Sequence, residues 1–329
     1  MSSQTAPVSL RELQAPIHDQ LDRVSQELHR IVRSDFPLIT EVNAHLFQMR
    51  GKMFRPTLLL LADQATGSRD TRTATLAAVV ELIHLATLVH DDSVDHSVLR
   101  RGMPTINSLF SHQISVIMGD YLYSRAVTEL VALDDLDPLR VLGRVTNEMT
   151  VGEMRQLLSH EPLDFSEPEY DLLIRAKTAS LLSGACEVGA LRAPPEERAA
   201  LRRFGDYLGM AFQIVDDLLD YTEPEEVTGK PRGADLREHK VTLPLISALP
   251  RLSDSERRMV NRLMATPEPN DNMIGEVIRA VSAAGGLDYA RERAHALAGH
   301  AELALDALPS NAATEALRAS IAYVLERRS

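Results

Sequence analysis

The stretch VVELIHLATLVHDDSVD, residues 79–95, decides the fold. Val79, Val80, Leu82, Ile83, Leu85, Ala86, Leu88 and Val89 are apolar nearly all round a 3.6-residue repeat, so the run predicts a central, buried helix. It ends on Asp91, Asp92 and Asp95. At about 100° per residue, Asp91 and Asp95 stack one turn apart and Asp92 lies within about 60° of Asp95. Like charges at that spacing repel. Carboxylates at the end of a buried helix are costly unless a cation neutralises them. The segment LGMAFQIVDDLLD, residues 208–220, repeats the arrangement, with Asp216, Asp217 and Asp220 closing another apolar run. Hard oxygen donors select magnesium or calcium, and magnesium is usually held by one or two carboxylates with waters and phosphates. Two such clusters could hold a diphosphate between them through shared ions. The bland alternative for either cluster is a solvated acidic face. Asp134-Asp135-Leu136-Asp137 ahead of Pro138 illustrates it and reads as a turn. A calcium loop of the EF-hand kind is a poor fit, because neither motif carries its glycine and distal glutamate.

Working outward, helical spacing dominates. Leu10 to Val32 reads as an amphipathic helix, with Leu10, Leu13, Ile17, Leu21, Val24, Leu28 and Ile31 at steps of three and four. Lys52 to Ala62 is a second, with Pro56 in an early turn. Thr73 to about Asp95 is a third. No alternating runs flank Asn-Gly or Asp-Gly turns, so nothing recommends a sheet. Breakers fall at Gly102 and Pro104, Asp134 to Pro138, Glu161 to Pro168, Pro194-Pro195 and Thr222 to Gly233. The expectation is an all-α single domain, residues 1–329, of ten or more helices.

The net charge of −12 argues against nucleic acid as a partner but leaves room for a local basic pocket. Cys186 is the only cysteine, which excludes an intrachain disulfide and fits a reducing compartment. Met1 to Leu10 lacks the pattern of a secretory signal. The apolar stretch from Leu76 to Val89, interrupted by Glu81 and His84, reads as too short and too polar for a membrane span. A cytoplasmic protein is expected.

Basic residues stand at informative places in this acidic chain. Lys52 and Arg55 share a helix start beside Gly51; Arg100-Arg101 follows Asp95; Lys177-Thr178, Lys230 and Lys240 come later. Arginine suits diphosphate as a bidentate donor and lysine as a point charge. Gly51-Lys52-Met53-Phe54-Arg55-Pro56 resembles the GKxxRP motif of trans-polyprenyl diphosphate synthases. Glu81 to His84, His90 to Asp95 and Arg100-Arg101-Gly102 resemble that family's first aspartate-rich region. Gly152-Glu153 with Gln156 resembles its GExxQ segment, and Phe212 to Asp220 its second aspartate-rich region. Gly229-Lys230, Gly233, Asp235-Leu236 and Lys240 to Pro244 resemble the segment that follows. The ordered match runs from about residue 50 to 245. It departs at His239, where the family often has glycine, which puts the backbone before Lys240 in question.

The resemblance implies a helical bundle around a deep central cavity, of isoprenoid synthase type, usually as a homodimer. It implies condensation of isopentenyl diphosphate with an allylic diphosphate, with Mg2+, three ions per active site, as cofactor. In that scheme Asp91, Asp95 and Asp216 hold the metal, and Asp92, Asp217 and Asp220 are nearby ligands or supports. Arg100, Lys177, Thr178, Gln213, Lys230 and Lys240 bind the allylic diphosphate, Lys177 also counting among the catalytic groups. Lys52, Arg55, His84 and Arg101 hold isopentenyl diphosphate. Membrane contact would be peripheral. Three other readings compete with it. An HD-type metal phosphohydrolase would use His90-Asp91 with His45, His84 and His96. A non-catalytic partner subunit would lack an acidic or basic motif. A cyclase would not need Lys52, Arg55 and Arg101. The small residues Ala86 and Thr87, before Asp91, imply a product longer than twenty carbons, with Ile83 and Tyr121 as other possible floors.

Overall fold

The computed structural model describes residues 9–49, 51–68, 70–157, 162–224 and 231–327. The helices run α1 (Leu10–Gln14), α2 (His18–Ile31), α3 (Pro37–Gln48), α4 (Phe54–Ala65), α5 (Thr73–Val94), α6 (Ile106–Leu109), α7 (His112–Ala132) and α8 (Leu136–Leu157). They continue as α9 (Glu167–Ile174), α10 (Ser180–Gly189), α11 (Pro195–Thr222), α12 (Ala234–Arg237) and α13 (Leu243–Ala248). The last are α14 (Asp254–Met264), α15 (Asp271–Ala283), α16 (Gly286–Ala304) and α17 (Ala312–Glu326). Among the described residues the protein is all-α, as expected, apart from one hairpin that the sequence did not suggest. Strand β1 (Leu99–Arg100) pairs antiparallel with β2 (Met103–Pro104). Its two-residue loop, Arg101-Gly102, has positive φ at both positions, 53° and 75°. Two-residue hairpins of the I′ kind require this, and arginine at the first place hid the signal.

Other differences have local causes. Leu10 to Val32 is not one helix: Ala15–Ile17 tightens into a 3-10 turn around Pro16, which cannot donate to a continuing helix. The second helix starts at Phe54, because Met53 caps it from the left-handed region at φ 52°. Asp134 to Pro138 is not a simple turn. Helix α8 already begins at Leu136, with Pro138 in its first turn, where a missing N–H is harmless. Asp135 Oδ1 accepts from the Asp137 N–H at 3.0 Å. Its other oxygen takes Arg72 Nη1 at 3.0 Å and Arg192 Nη2 at 2.8 Å, so this acidic cluster is partly spent on ion pairs.

The chain forms two compact units. One comprises Met1–Asn147, Leu181–Gly205 and Ala304–Ser320; the other comprises Glu148–Ser180, Asp206–Leu303 and Ile321–Ser329. In the first, α5 is the axis, packed by α2, α4 and α7. Helix α4 buries Leu58, Leu59, Leu60, Leu61 and Ala62 completely, an all-round apolar stretch that matches a core position. By length and composition α5 as a whole could cross a membrane, although its Leu76–Val89 stretch alone reads as too short. Of its most apolar stretch, 61 % is buried. In the second unit, Tyr221, Leu236, Leu245, Val260, Val277 and Val281 centre the core. Between α9 and α10 the chain makes one π-helical turn, Arg175–Ala179. Such turns occur often at functional sites.

Candidate active site

In the first unit, α5 delivers its carboxylates at its C-terminal end. The Asp95 N–H donates to the Asp91 carbonyl at 2.8 Å, so the two side chains stand one turn apart as predicted. Asp91 is half-buried and Asp95 exposed. Asp92 is buried, and Arg100 of β1 grips it, with Nε 2.8 and 2.9 Å from the two oxygens and Nη2 2.7 Å from Oδ1. The hairpin thereby ties Arg100 to the acidic motif, a partner that the sequence reading did not assign.

About two and three turns earlier on α5 lie His84 and Glu81. Glu81 is 4 % exposed. A Cβ on Gly51 would stand 3.6 Å from its Oε1 and 3.1 Å from Arg101 Nη1, so Gly51 leaves room for both side chains. Arg101 Nη1 donates to the Met49 carbonyl at 2.9 Å. Burial lowers the Arg55 guanidinium to about 10, with Glu81 opposing and Arg101 adding to the shift. Burial likewise raises the Glu81 carboxyl, against the pull of Arg55 and Arg101. Burial, then the charges of Arg55, Arg101 and Arg100, hold His84 well below the ordinary histidine range. At neutral pH it is a neutral imidazole that can donate one hydrogen bond, and the positive charge belongs to the arginines. Arg55 Nε and Glu81 Oε2 are buried without partners in the protein. Lys52 is exposed, with its backbone carbonyl accepting from Gln14 Nε2 at 3.1 Å. A cationic pocket with an unused buried donor suits an anion.

In the second unit, Lys177 and Thr178 ride the π turn. Gly152 on α8 makes the packing possible: a Cβ there would stand 2.7 Å from Ala176 Cβ and 3.4 Å from Lys177 N. One residue on, Glu153 Oε2 meets Lys177 Nζ at 2.8 Å, and Gln156 Oε1 accepts from the same nitrogen at 3.1 Å. The motif Gly152-Glu153-x-x-Gln156 is therefore a clamp on Lys177. Thr178 Oγ1 donates to Gln213 Oε1 at 2.7 Å, and Gln213 Nε2 donates to Asp217 Oδ1 at 2.8 Å. Tyr170 Oη donates to Asp217 Oδ2 at 2.5 Å. Asp217 is 5 % exposed, and burial pushes its carboxyl up to about 7, against these two donors. Asp216 faces outward and accepts from Arg327 Nη2 at 2.9 Å. Asp220 accepts from the Ala234 and Asp235 N–H groups at 3.0 and 3.3 Å, at the start of α12.

Lys240 Nζ pairs with Glu238 Oε2 at 2.7 Å. Before it, His239 adopts φ 58°, the left-handed conformation that a glycine takes without strain. Its ring bonds the Thr266 carbonyl at 2.9 Å, which anchors this conformation. The departure at His239 thus keeps a glycine-like backbone. Gly229 and Lys230 lie outside the described residues.

The candidate metal ligands are all hard oxygens. Among the described residues no three acidic, histidine or cysteine side chains converge on one point. Carboxylate oxygens of this kind suit a hard divalent cation.

The family model described as polyprenyl synthetase matches residues 36–281. The chain belongs to this family. It is 38 % identical over 309 residues to an all-trans-nonaprenyl-diphosphate synthase (geranyl-diphosphate specific) of Rhodobacter capsulatus, across 93 % of this chain and 94 % of that one. It is 38 % identical over 288 residues to an octaprenyl diphosphate synthase of Escherichia coli, across 87 % and 89 % of the two chains. A polyprenyl synthase of Caulobacter crescentus, solved with calcium and isoprenyl diphosphate, superposes with a TM-score of 0.94 at 33 % identity, across 99 % of this chain and 100 % of that one.

In this polyprenyl synthetase family member, Glu81, Glu153, Gln156, Tyr170 and Arg327 stand beside the candidate site residues, and sequence reasoning gave them no role. Glu81 had a signal, a lone carboxylate inside an apolar run. Glu153 and Gln156 stood in a recognised motif without a partner. Tyr170 and Arg327 had no sequence signal.

Proposed function

We propose that this chain is an active trans-prenyl diphosphate synthase that condenses isopentenyl diphosphate with an allylic diphosphate to give a longer all-trans polyprenyl diphosphate. The observation that carries the reading is the lysine clamp. Glu153, Gln156 and the π turn hold the Lys177 ammonium in place in a chain whose relatives are polyprenyl diphosphate synthases. The whole chain, residues 1–329, forms the catalytic domain. A non-catalytic subunit would have no use for an intact clamp. The HD-type alternative loses its histidines to other partners: His90 bonds the Val116 carbonyl and His45 the Pro104 carbonyl.

Lys52, Arg55 and Arg101 bind the diphosphate of isopentenyl diphosphate as cations, and neutral His84 donates one hydrogen bond. Buried Glu81 offsets part of the arginine charge and keeps the two guanidinium groups from repelling each other. Lys177, Thr178, Gln213, Lys230, Lys240 and Arg100 bind the allylic diphosphate. Asp91, Asp95 and Asp216 would hold Mg2+, three ions per site, which supplies positive charge against the departing diphosphate. Asp92, Asp217 and Asp220 are fixed by Arg100, Tyr170 with Gln213, and the start of α12, and so keep the ligating carboxylates in register. Lys177 faces the charge that develops as the allylic C–O bond breaks, so its prior placement lowers the barrier. The double bond of isopentenyl diphosphate then attacks the allylic carbon, and a proton leaves to the released diphosphate.

The product is longer than twenty carbons. Ala86 is small and 2 % exposed on α5, and Thr87 Oγ1 turns back to the His84 carbonyl at 2.7 Å. The Tyr121 hydroxyl is tied to the Val32 carbonyl at 3.0 Å. The enzyme is a cytoplasmic homodimer with at most peripheral membrane contact and no nucleic-acid partner. Val116, Ile117, Tyr123 and Val131 share an exposed face of α7 and support self-association. Labelled isopentenyl diphosphate with primers of several lengths, followed by product mass analysis, tests the reading. Elongation should require Mg2+ and yield products beyond twenty carbons, and Ala86→Phe should shorten them. Full activity in excess chelator, or a parent that stops at fifteen or twenty carbons, contradicts the corresponding part.

A further inference from the structure

We propose that Arg327 is a latch on Asp216, holding this carboxylate while no metal ion is bound and leaving it when one arrives. The proposal rests on the reading of Asp216 as a metal-ligating residue. Helix α17 ends at Glu326, and the next side chain folds onto α11. The Arg327 guanidinium carbon lies 3.7 Å over the Phe212 ring. Its Nη2 donates to the Phe212 carbonyl at 3.0 Å and to Asp216 Oδ1 at 2.9 Å.

The pair is lopsided. The arginine side chain is 7 % exposed and the aspartate 56 %. The guanidinium is sequestered by the ring, while the carboxylate faces solvent. Only one nitrogen reaches the carboxylate, and Arg327 Nε is buried with no acceptor. A bidentate arginine–carboxylate pair uses two parallel bonds and is harder to break. A single-nitrogen contact on an exposed carboxylate is one that a divalent ion can displace. A dication and a guanidinium on one carboxylate oxygen repel each other at about 3 Å, so the two cations compete. By linkage, whatever the latch contributes to the metal-free state is subtracted from the metal affinity, and metal binding loosens the end of the chain by the same factor.

The experiment counts free Mn2+ by electron paramagnetic resonance, with inorganic diphosphate present, over wild type, Arg327→Gln, a chain ending at Glu326, and Asp216→Asn. Hydrogen exchange of residues 321–327 is followed with and without the ion. Both Arg327 variants should bind Mn2+ about three- to thirty-fold more tightly than wild type, the range of an exposed ion pair joined to a cation–π contact. Exchange at residues 321–327 of wild type should rise when the ion is added. If Asp216→Asn binds Mn2+ like wild type, the metal-ligand reading of Asp216 is wrong. If Asp216→Asn binds weakly but the Arg327 variants bind no tighter than wild type, Asp216 keeps its role and the latch is refuted. Unchanged exchange at residues 321–327 also refutes it.

Discussion

Gly152→Ala should cost both stability and allylic-substrate binding, although alanine is the better helix former. The added methyl would stand 2.7 Å from Ala176 Cβ. Non-bonded carbons settle at about 3.5–4.0 Å, so α8 or the π turn must retreat by about an ångström. The turn has little room to retreat, because Gly209 on α11 also packs closely against it; a Cβ there would meet Ala179 Cα at 2.5 Å. Overpacking of this kind costs about 1–3 kcal/mol, against a helix-propensity gain of about 0.5–1 kcal/mol. The net expectation from these two ranges is a loss of up to about 2.5 kcal/mol. The kinetic effect is larger. The same methyl lies 3.4 Å from Lys177 N, so the shift moves the clamped lysine. A displacement of about an ångström at a reacting group can cost about a hundredfold in rate.

The assay pairs urea unfolding with steady-state kinetics in which each substrate is varied. Gly299→Ala is the control. This residue lies inside α16, and its Cβ would meet nothing within 4 Å, so it should gain about 0.5–1 kcal/mol from propensity alone. Opposite signs at Gly152 and Gly299 are the signature. A Gly152→Ala protein as stable as wild type, with an unchanged KM for the allylic substrate, would refute the clamp geometry.

Arg55→Ala should raise KM for isopentenyl diphosphate about ten- to a hundredfold, the worth of a buried charge-assisted bond, whereas Lys177→Ala should act mainly on the allylic substrate; equal effects on both substrates from both changes count against the assignment. Glu81 binds its proton in the folded state above 4.5, where the unfolded chain has already released it, so its contribution to stability falls as pH rises from 4.5 through the raised folded value. Glu81→Gln should flatten that slope, and urea midpoints taken from pH 4 to 8 would show no change if the carboxyl were already ionised across the range. At His239, alanine should cost about 1 kcal/mol through the lost ring bond, and glycine should recover about 1 kcal/mol of left-handed strain relative to alanine; thermal melts that rank glycine below alanine would exclude a strained backbone there.

How much could be read without coordinates depended on how far apart the partners lie along the chain. Asp91 and Asp95 were legible because one helical turn brings them together, and α5 emerges as Thr73–Val94 close to its expected span. The same holds for Asp216 to Asp220. The role of Glu153 and Gln156 was not legible, since Gln156 finds Lys177 only after 21 residues and through a π turn that no periodicity announces. Single backbone angles were equally hidden. Arg101 and Met53 take positive φ where the sequence offers no glycine, which concealed the hairpin and the true start of α4. His239 could be flagged as a departure, but its meaning depended on the Thr266 carbonyl, a partner 27 residues away. Asp216 looked like a bare ligand from its motif, yet a guanidinium 111 residues downstream holds it. Local patterns therefore identify which groups carry charge. The long-range contacts set whether each of those groups starts out free, clamped or already paired, and that starting state is what substrate and metal must overcome.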